Sequence, residues 1–165
     1  KRVIHDKKMA KVHLRKVTID NFQECVSLEL NENQKKFVAP NIRSLAQAYV
    51  NPNLFPLAVY DASVLGHEKP QSPMVGFIMY EIIGGVGFIL RLMIDSKYQQ
   101  QGYGKAAMLE VIRRLKLYPE VELIATGHDP NNQIASKLYR SIGFVDWDIE
   151  FPENPEPQVF LKLDS

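Results

Sequence analysis

The chain has almost no cysteine and no long apolar run, and both absences narrow what it can be. Its single cysteine, Cys25, cannot form a disulfide within the chain, and no Cys/His cluster offers a soft metal site. This cysteine usage suits a reducing compartment, so we expect a cytoplasmic protein. No apolar stretch approaches bilayer length, and the basic residues 1–8 do not resemble a signal peptide. We therefore expect no membrane partner, and we expect residues 1–8 to be a leader or an expression remnant preceding Met9.

The chain also lacks an excess of either charge. Its 20 Lys and Arg residues nearly balance 19 Asp and Glu residues and are spread along the sequence. Phosphate backbones require a concentrated basic surface, so nucleic acid is not expected as a partner. An apolar content of 45% in 165 residues is enough for one hydrophobic core. Because no repeat or linker divides the sequence, we predict a single domain over residues 9–165.

Apolar periodicity and turn residues predict a mixed sheet of about seven strands with four helices on both faces, in the order βααβββαβαββ. The predicted strands are 11–17, 57–60, 74–83, 86–94, 121–126, 144–151 and 159–163, and the predicted helices are 19–30, 42–49, 104–117 and 132–141. We expect Thr18 to cap the first helix, Gly84-Gly85 to form a hairpin turn, and 61–73 to be a polar loop. The strand–helix–strand order makes strands four and five parallel.

The segment Gln-Gln-Gln-Gly-Tyr-Gly-Lys at 99–105 is the strongest local signal for a ligand. It follows a strand and begins an amphipathic helix. Gly102 and Gly104 allow a tight turn and a close approach to a ligand, and the free N–H groups of the first helical turn then point toward a bound anion. A pyrophosphate fits this requirement. Two glycines before a helix also make an ordinary loop, and the segment lacks the spacings of the P-loop and of the dinucleotide fingerprint.

Two motifs in this order resemble the GNAT family of N-acetyltransferases. Gln99, Gly102 and Gly104 hold the defining positions of its Gln/Arg-x-x-Gly-x-Gly/Ala signature, and 132–144 resembles its Asn-x-x-Ala-x-x-Leu-Tyr-x-x-x-Gly-Phe element. With the strand order, the resemblance covers 11–163. The chain also resembles the bacterial spermine/spermidine (diamine) acetyltransferase branch. Residues that carry this second resemblance are 75–80, Arg91, Ile94-Asp95 and Tyr98-Gln99; several members have an acidic residue where Leu90 stands here.

The resemblance implies direct transfer of an acetyl group from acetyl-coenzyme A (acetyl-CoA) to an amine, without a metal. It implies that the backbone of strand four binds the pantetheine arm and that the turn binds the pyrophosphate. The cofactor-binding residues implied are Leu92, Met93, Ile94, Gln99, Gln100, Gln101, Gly102, Tyr103, Gly104 and Lys105. Asn132 would cap its helix, contact the cofactor, or do both.

The family resemblance also implies that Tyr139 protonates the departing thiolate. A phenol has a proton to give and a pKa near that of a developing thiolate. A tyrosine at this helical position would equally serve as a core residue with a tethered hydroxyl.

The acceptor amine must lose a proton before it attacks, so a base is needed. Glu81 is our candidate base, since it interrupts an apolar strand, although a solvated carboxylate at a sheet edge would look the same. His128 follows strand five, and we interpret it as a loop histidine. An acidic acceptor mouth would attract a polycation, and its candidate residues are Glu24, Glu29 and Glu32.

The expected acceptor is a primary amine, first of all a polyamine such as spermine or spermidine. A protein N-terminus, an amino acid and an aminoglycoside are the alternative acceptors. A non-catalytic acyl-CoA sensor is the alternative function, because a fold does not fix a function. Relatives are often dimers, so a homodimer is expected by analogy.

Overall fold

The computed structural model describes residues 9–62, 72–149 and 158–164. The expected leader at 1–8, most of the expected loop 61–73 and the last residues of the expected strand 144–151 lie outside these ranges. The strands are β1 Val12–Lys16, β2 Leu54–Asp61, β3 Met74–Ile83, β4 Val86–Ile94, β5 Leu123–His128, β6 Phe144–Asp146 and β7 Val159–Leu163. The helices are α1 Phe22–Ser27, α2 Asn41–Val50, α3 Tyr103–Leu115 and α4 Gln133–Ile142, with 3₁₀ turns at Lys35–Phe37 and Ser96–Tyr98. The predicted element order is confirmed.

The strands form one sheet in the order β1-β2-β3-β4-β5-β7-β6. β4 and β5 are parallel, as predicted, and the other neighbouring pairs are antiparallel. One core lies between the sheet and α3 and α4, and includes Met108, Leu115 and Phe144. A second core lies on the opposite face and includes Cys25 of α1 and Phe77. None of the helices in the described ranges is long and apolar enough to cross a membrane.

A β-bulge at Leu90 opens the sheet between β4 and β5. Met79 of β3 pairs with Arg91, whereas the next residue, Tyr80, pairs with Ile89, so Leu90 is an extra residue on β4. A bulge bends its strand and interrupts the ladder. The parallel pairing of β4 with β5 accordingly ends at Ile89 and Thr126. Beyond this point the β5-facing edge of β4 has no strand partner among the residues that the structure describes.

The first helix is shorter than predicted. α1 starts at Phe22 rather than residue 19, and Ile19 is 94% exposed. The Asn21 side chain accepts a hydrogen bond from the Thr18 N–H at 2.7 Å, which fixes a turn before the helix, so Thr18 is not the N-cap. The prediction of the hairpin turn is confirmed. Gly84 and Gly85 have φ values of 57° and 79°, as a two-residue turn between twisted strands requires.

Candidate active site

A cavity of about 590 Å³ lies where β4 and β5 separate, and we call it the central cavity. Its walls are the α1–α2 connection, the end of β4, the turn 99–105 (the phosphate turn), the end of β5 and α4. The sequence-predicted site residues that line it are Leu92, Ile94, Gln99, Gln100, Gly102, Tyr103, Gly104, Lys105, Asn132 and Tyr139. Segments far apart in the sequence therefore meet at the carboxyl ends of two parallel strands, where open mixed sheets bind ligands.

Three of the predicted site residues lie elsewhere. The Met93 side chain is buried on the α1–α2 side of the sheet, where its sulfur lies 3.7 Å from the Asn41 amide nitrogen, so only the Met93 backbone can serve a ligand. Gln101 lines a second cavity of about 750 Å³ on the other side of the phosphate turn. Glu81 lines neither cavity; it pairs with Leu54 and Phe88. Because β3 and β4 are antiparallel, the end of β3 lies beside the start of β4, at the opposite end from the central cavity.

The phosphate turn presents unpaired N–H groups at the start of α3. Gly102, the N-cap residue, has a φ of 88°, and Gln100 has a φ of 62°, the only positive value of a non-glycine residue in the described ranges. The backbone N–H groups of 102–105 have no hydrogen-bond acceptor within the described parts of the chain. They lie at the positive end of a 13-residue helix, which is a favourable position for an anion.

Two polar side chains tie the phosphate turn to the α1–α2 connection. The Gln99 amide nitrogen donates to the Ile94 carbonyl oxygen at 2.9 Å and to the Gln34 side-chain oxygen at 2.8 Å. The buried Asp95 carboxylate accepts hydrogen bonds from the Glu29 and Lys97 N–H groups, both at 2.9 Å. The Gln99 side chain is thus occupied within the protein and positions the turn.

Tyr139 is anchored at the point where the two strands separate. Its hydroxyl is hydrogen-bonded to Thr126, and the Thr126 hydroxyl donates to the Ile89 carbonyl oxygen at 2.8 Å. Burial raises the pKa of Tyr139 to about 12. The expectation of a pKa near that of a thiolate is therefore wrong, because the α4 position removes the phenol from water.

His128 is the last residue of β5 rather than a loop residue, and it lines the central cavity. Its Nδ1 lies 2.8 Å from the Asp129 carbonyl oxygen, and a carbonyl can only accept, so Nδ1 carries the proton. In the neutral ring, Nε2 then has a free lone pair. Nε2 is buried and has no hydrogen-bond partner in the described structure. The centre of the His128 ring lies 6.2 Å from the centre of the Tyr139 ring.

Arg91 also lines the central cavity, and the sequence analysis did not predict it as a site residue. Arg91 donates from Nη1 to the Leu90 carbonyl oxygen and from Nη2 to the Gln47 side-chain oxygen, each at 3.1 Å. Its Nε is buried without a partner in the described structure. Burial and the nearby Arg43 lower the pKa of Arg91. No Asp or Glu is among the described residues that line this cavity.

Asn132 fulfils the predicted capping role. Its side-chain oxygen accepts a hydrogen bond from the Ala135 N–H at 3.2 Å at the start of α4. At the other end of α4, Gly143 has a φ of 116° and forms the C-cap. These caps fix the helix that carries Tyr139, and Asn132 also lines the cavity.

A family model and a curated relative match this chain. The model of the acetyltransferase (GNAT) family matches residues 22–144. A curated relative, the spermine/spermidine N(1)-acetyltransferase of Bacillus subtilis (strain 168), is 25% identical over 141 residues, which cover 81% of this chain and 87% of the relative.

Solved structures share the fold. A domain from Methanocaldococcus jannaschii has a TM-score of 0.71 at 16% identity, covering 93% of this chain and 98% of that one. The spermidine N-acetyltransferase from Vibrio cholerae, solved with CoA and spermine, has a TM-score of 0.64 at 18% identity, covering 92% and 93%. The predicted mixed-sheet fold is thereby confirmed.

Proposed function

The chain belongs to the acetyltransferase (GNAT) family and is an acetyl-CoA-dependent N-acetyltransferase, and from this premise we propose that it acetylates a small primary amine in the central cavity. The observation that carries the proposal is the opening between β4 and β5, which has the phosphate turn on one side and Tyr139 and His128 on the other. A ligand with a diphosphate and an amide-containing arm matches both the free N–H groups of the turn and the unpaired edge of β4.

The residues proposed to bind the co-substrate follow from that match. The N–H groups of 102–105, with the Lys105 side chain beside them, bind the pyrophosphate. The backbone groups of Leu92, Met93 and Ile94 bind the pantetheine amides as an added strand would. Gln99 and Asn132 hold the turn and α4 in place through the hydrogen bonds described above.

The proposed reaction is direct attack of the amine on the thioester carbonyl. A nitrogen–carbon bond forms, the carbon–sulfur bond breaks, and the amine proton passes to Nε2 of His128. This replaces Glu81 as the candidate base. As the thioester breaks, the Tyr139 O–H turns from Thr126 Oγ1 and donates its hydrogen bond to the departing sulfur. Full proton transfer from a phenol with a pKa of about 12 to a thiolate is uphill, since an ordinary thiol has a pKa of about 8.5. Tyr139 therefore acts on the developing thiolate mainly as a hydrogen-bond donor.

Replacing His128 by asparagine tests the base. His128→Asn keeps an amide near Nδ1 but removes Nε2, and we expect kcat to fall about tenfold, below the usual range for acid–base catalysis, because water in an open cavity can carry the proton. The loss should be smaller for weakly basic amines than for alkylamines, which are protonated at neutral pH. Steady-state rates over a series of amines measure this.

The matched control is His13→Asn on the exposed surface of β1, which should change none of these rates. An equal loss for weakly and strongly basic amines in the His128 variant would contradict its role as base.

A polyamine is the first acceptor to test, because the curated relative is a spermine/spermidine acetyltransferase. The acidic acceptor mouth that the sequence analysis expected does not support a polyamine acceptor. Glu24 accepts a hydrogen bond from the Met74 N–H at 3.1 Å, and Glu32 pairs with Lys35 at 2.6 Å on the surface. Neither residue lines the central cavity, nor does Glu29.

A thiol-release assay with acetyl-CoA and a panel of amines tests the function. We expect amine-dependent release of CoA, with the acetylated amine identified by mass. Binding of CoA without release on any amine would favour a non-catalytic acyl-CoA-binding module.

A further inference from the structure

Arg91 is a half-buried cation that has no counter-charge among the residues that the structure describes. A guanidinium has five N–H donors, and the two hydrogen bonds of Arg91 go to a carbonyl and an amide oxygen. None of the ion pairs in the described structure includes Arg91. Removing such a group from water without an anion is costly. A ligand anion at this position would remove that cost.

The surroundings of Arg91 strengthen the positive potential. Arg43 of α2 is close enough to lower the pKa of Arg91, and the bulged residue Leu90 beside it is apolar. A site of this kind attracts anions and disfavours polycations.

Arg91 reaches the α2 side of the cavity, away from the phosphate turn. Its partner Gln47 lies on α2, whereas the phosphate turn precedes α3, and these helices cover opposite faces of the sheet. The anion that Arg91 would bind is therefore distinct from the pyrophosphate.

We propose that the acceptor is an amine that also carries a carboxylate, an amino acid or a close derivative, and that Arg91 binds this carboxylate. The proposal rests on the proposed acetyl transfer and specifies its acceptor. The planar guanidinium matches a carboxylate geometrically, and the unpartnered Nε–H with a neighbouring Nη supplies two parallel donors. A dianionic phosphate would call for more cations than the described cavity offers on this side.

Matched pairs of acceptors test the proposal directly. Ornithine and putrescine differ only in the carboxylate, as do lysine and cadaverine. We expect wild-type kcat/KM to favour each amino acid over its diamine by about tenfold or more, the size of one charge-assisted hydrogen bond. Arg91→Gln should bring both ratios close to one, with KM for acetyl-CoA little changed. Arg91→Lys should restore part of the preference.

The ratio of two acceptors within one variant does not depend on the folded fraction, so it separates carboxylate binding from the structural contacts of Arg91 with Leu90 and Gln47. The matched control is Arg140→Gln, because the Arg140 guanidinium pairs with Asp146 at 2.8 Å outside the cavity. This control should keep the wild-type preference.

Diamines that react as fast as the amino acids in the wild-type chain, or a preference that survives in Arg91→Gln, would overturn the proposal. A chain that acetylates no amine would contradict the proposed function instead. In that case calorimetry with CoA present decides on the carboxylate site: ornithine binding no tighter than putrescine overturns it, and tighter binding that Arg91→Gln abolishes supports it.

Discussion

Tyr139→Phe is expected to lower kcat by about 10²–10³-fold while leaving the dissociation constant of CoA nearly unchanged. The substitution removes only the hydroxyl, which is hydrogen-bonded to Thr126 next to the last paired residue of β4. The aromatic ring still fills the space beside Phe144, so the cavity keeps its shape. The lost hydrogen bond acts on charge that develops on sulfur only as the thioester breaks. The loss should therefore appear in kcat.

The pH dependence of this effect follows from the raised pKa of Tyr139. Burial raises this pKa to about 12, so the hydroxyl keeps its proton at neutral and moderately alkaline pH and loses it only near pH 12. The ratio of wild-type to Tyr139→Phe turnover should consequently be flat between about pH 6 and pH 10. If the ratio instead decreases between pH 6 and pH 10, the phenol ionises in that range, which would contradict the effect of burial on its pKa.

Tyr80→Phe is the matched control. Tyr80 is also buried, and burial and a hydrogen bond with Tyr118 raise its pKa to about 12. It stacks on Phe55 with ring centres 4.9 Å apart and does not line the central cavity. We expect this variant to lose about 1 kcal/mol of stability and to keep its kcat. Equal turnover in Tyr139→Phe and the wild type would remove Tyr139 from the mechanism.

The features that the sequence predicts well are those set by local chemistry. The hairpin at Gly84-Gly85, the glycines of the phosphate turn and the Asn132 cap each depend on neighbouring residues, and the structure has all three. The sequence alone could also have placed Glu81 far from the site. A residue just before a hairpin turn lies beside the start of the next strand, far from that strand's carboxyl end.

Features that depend on distant segments could not be predicted in this way. The end of β5 is fixed by pairing of His128 with Val159, a residue 31 positions later, whereas Gly127 favours a loop locally. The bulge at Leu90 depends on the register with β3. Whether Arg91 has a counter-charge depends on which side chains of α2 face it, and no local sequence pattern specifies those contacts.

Gly102→Val is expected to raise the dissociation constant of CoA by about 30-fold or more, equivalent to about 2 kcal/mol. The nearest atom to a side chain at this position would be the Ala10 Cβ at 3.5 Å, so space is available and the backbone carries the effect. A β-branched residue at a φ of 88° is strained by about 1–3 kcal/mol. Relaxing that strain rotates the peptide groups that precede α3 and turns the N–H groups of 102–105 away from a common anion.

Gly84→Val separates this effect from general destabilisation. Gly84 has a φ of 57° in the β3–β4 hairpin, with no atom within 4 Å of an added Cβ, so valine there introduces similar backbone strain outside the central cavity. Both variants should unfold at lower denaturant concentration than the wild type, but only Gly102→Val should bind CoA weakly in calorimetry. Normal binding by Gly102→Val would mean that the phosphate turn does not hold the diphosphate. Equal weakening in both variants would trace the loss to stability. Because both substitutions place a β-branched residue at a positive φ and only Gly102 lies at the phosphate turn, a difference in CoA binding between the variants is assigned to the anion site.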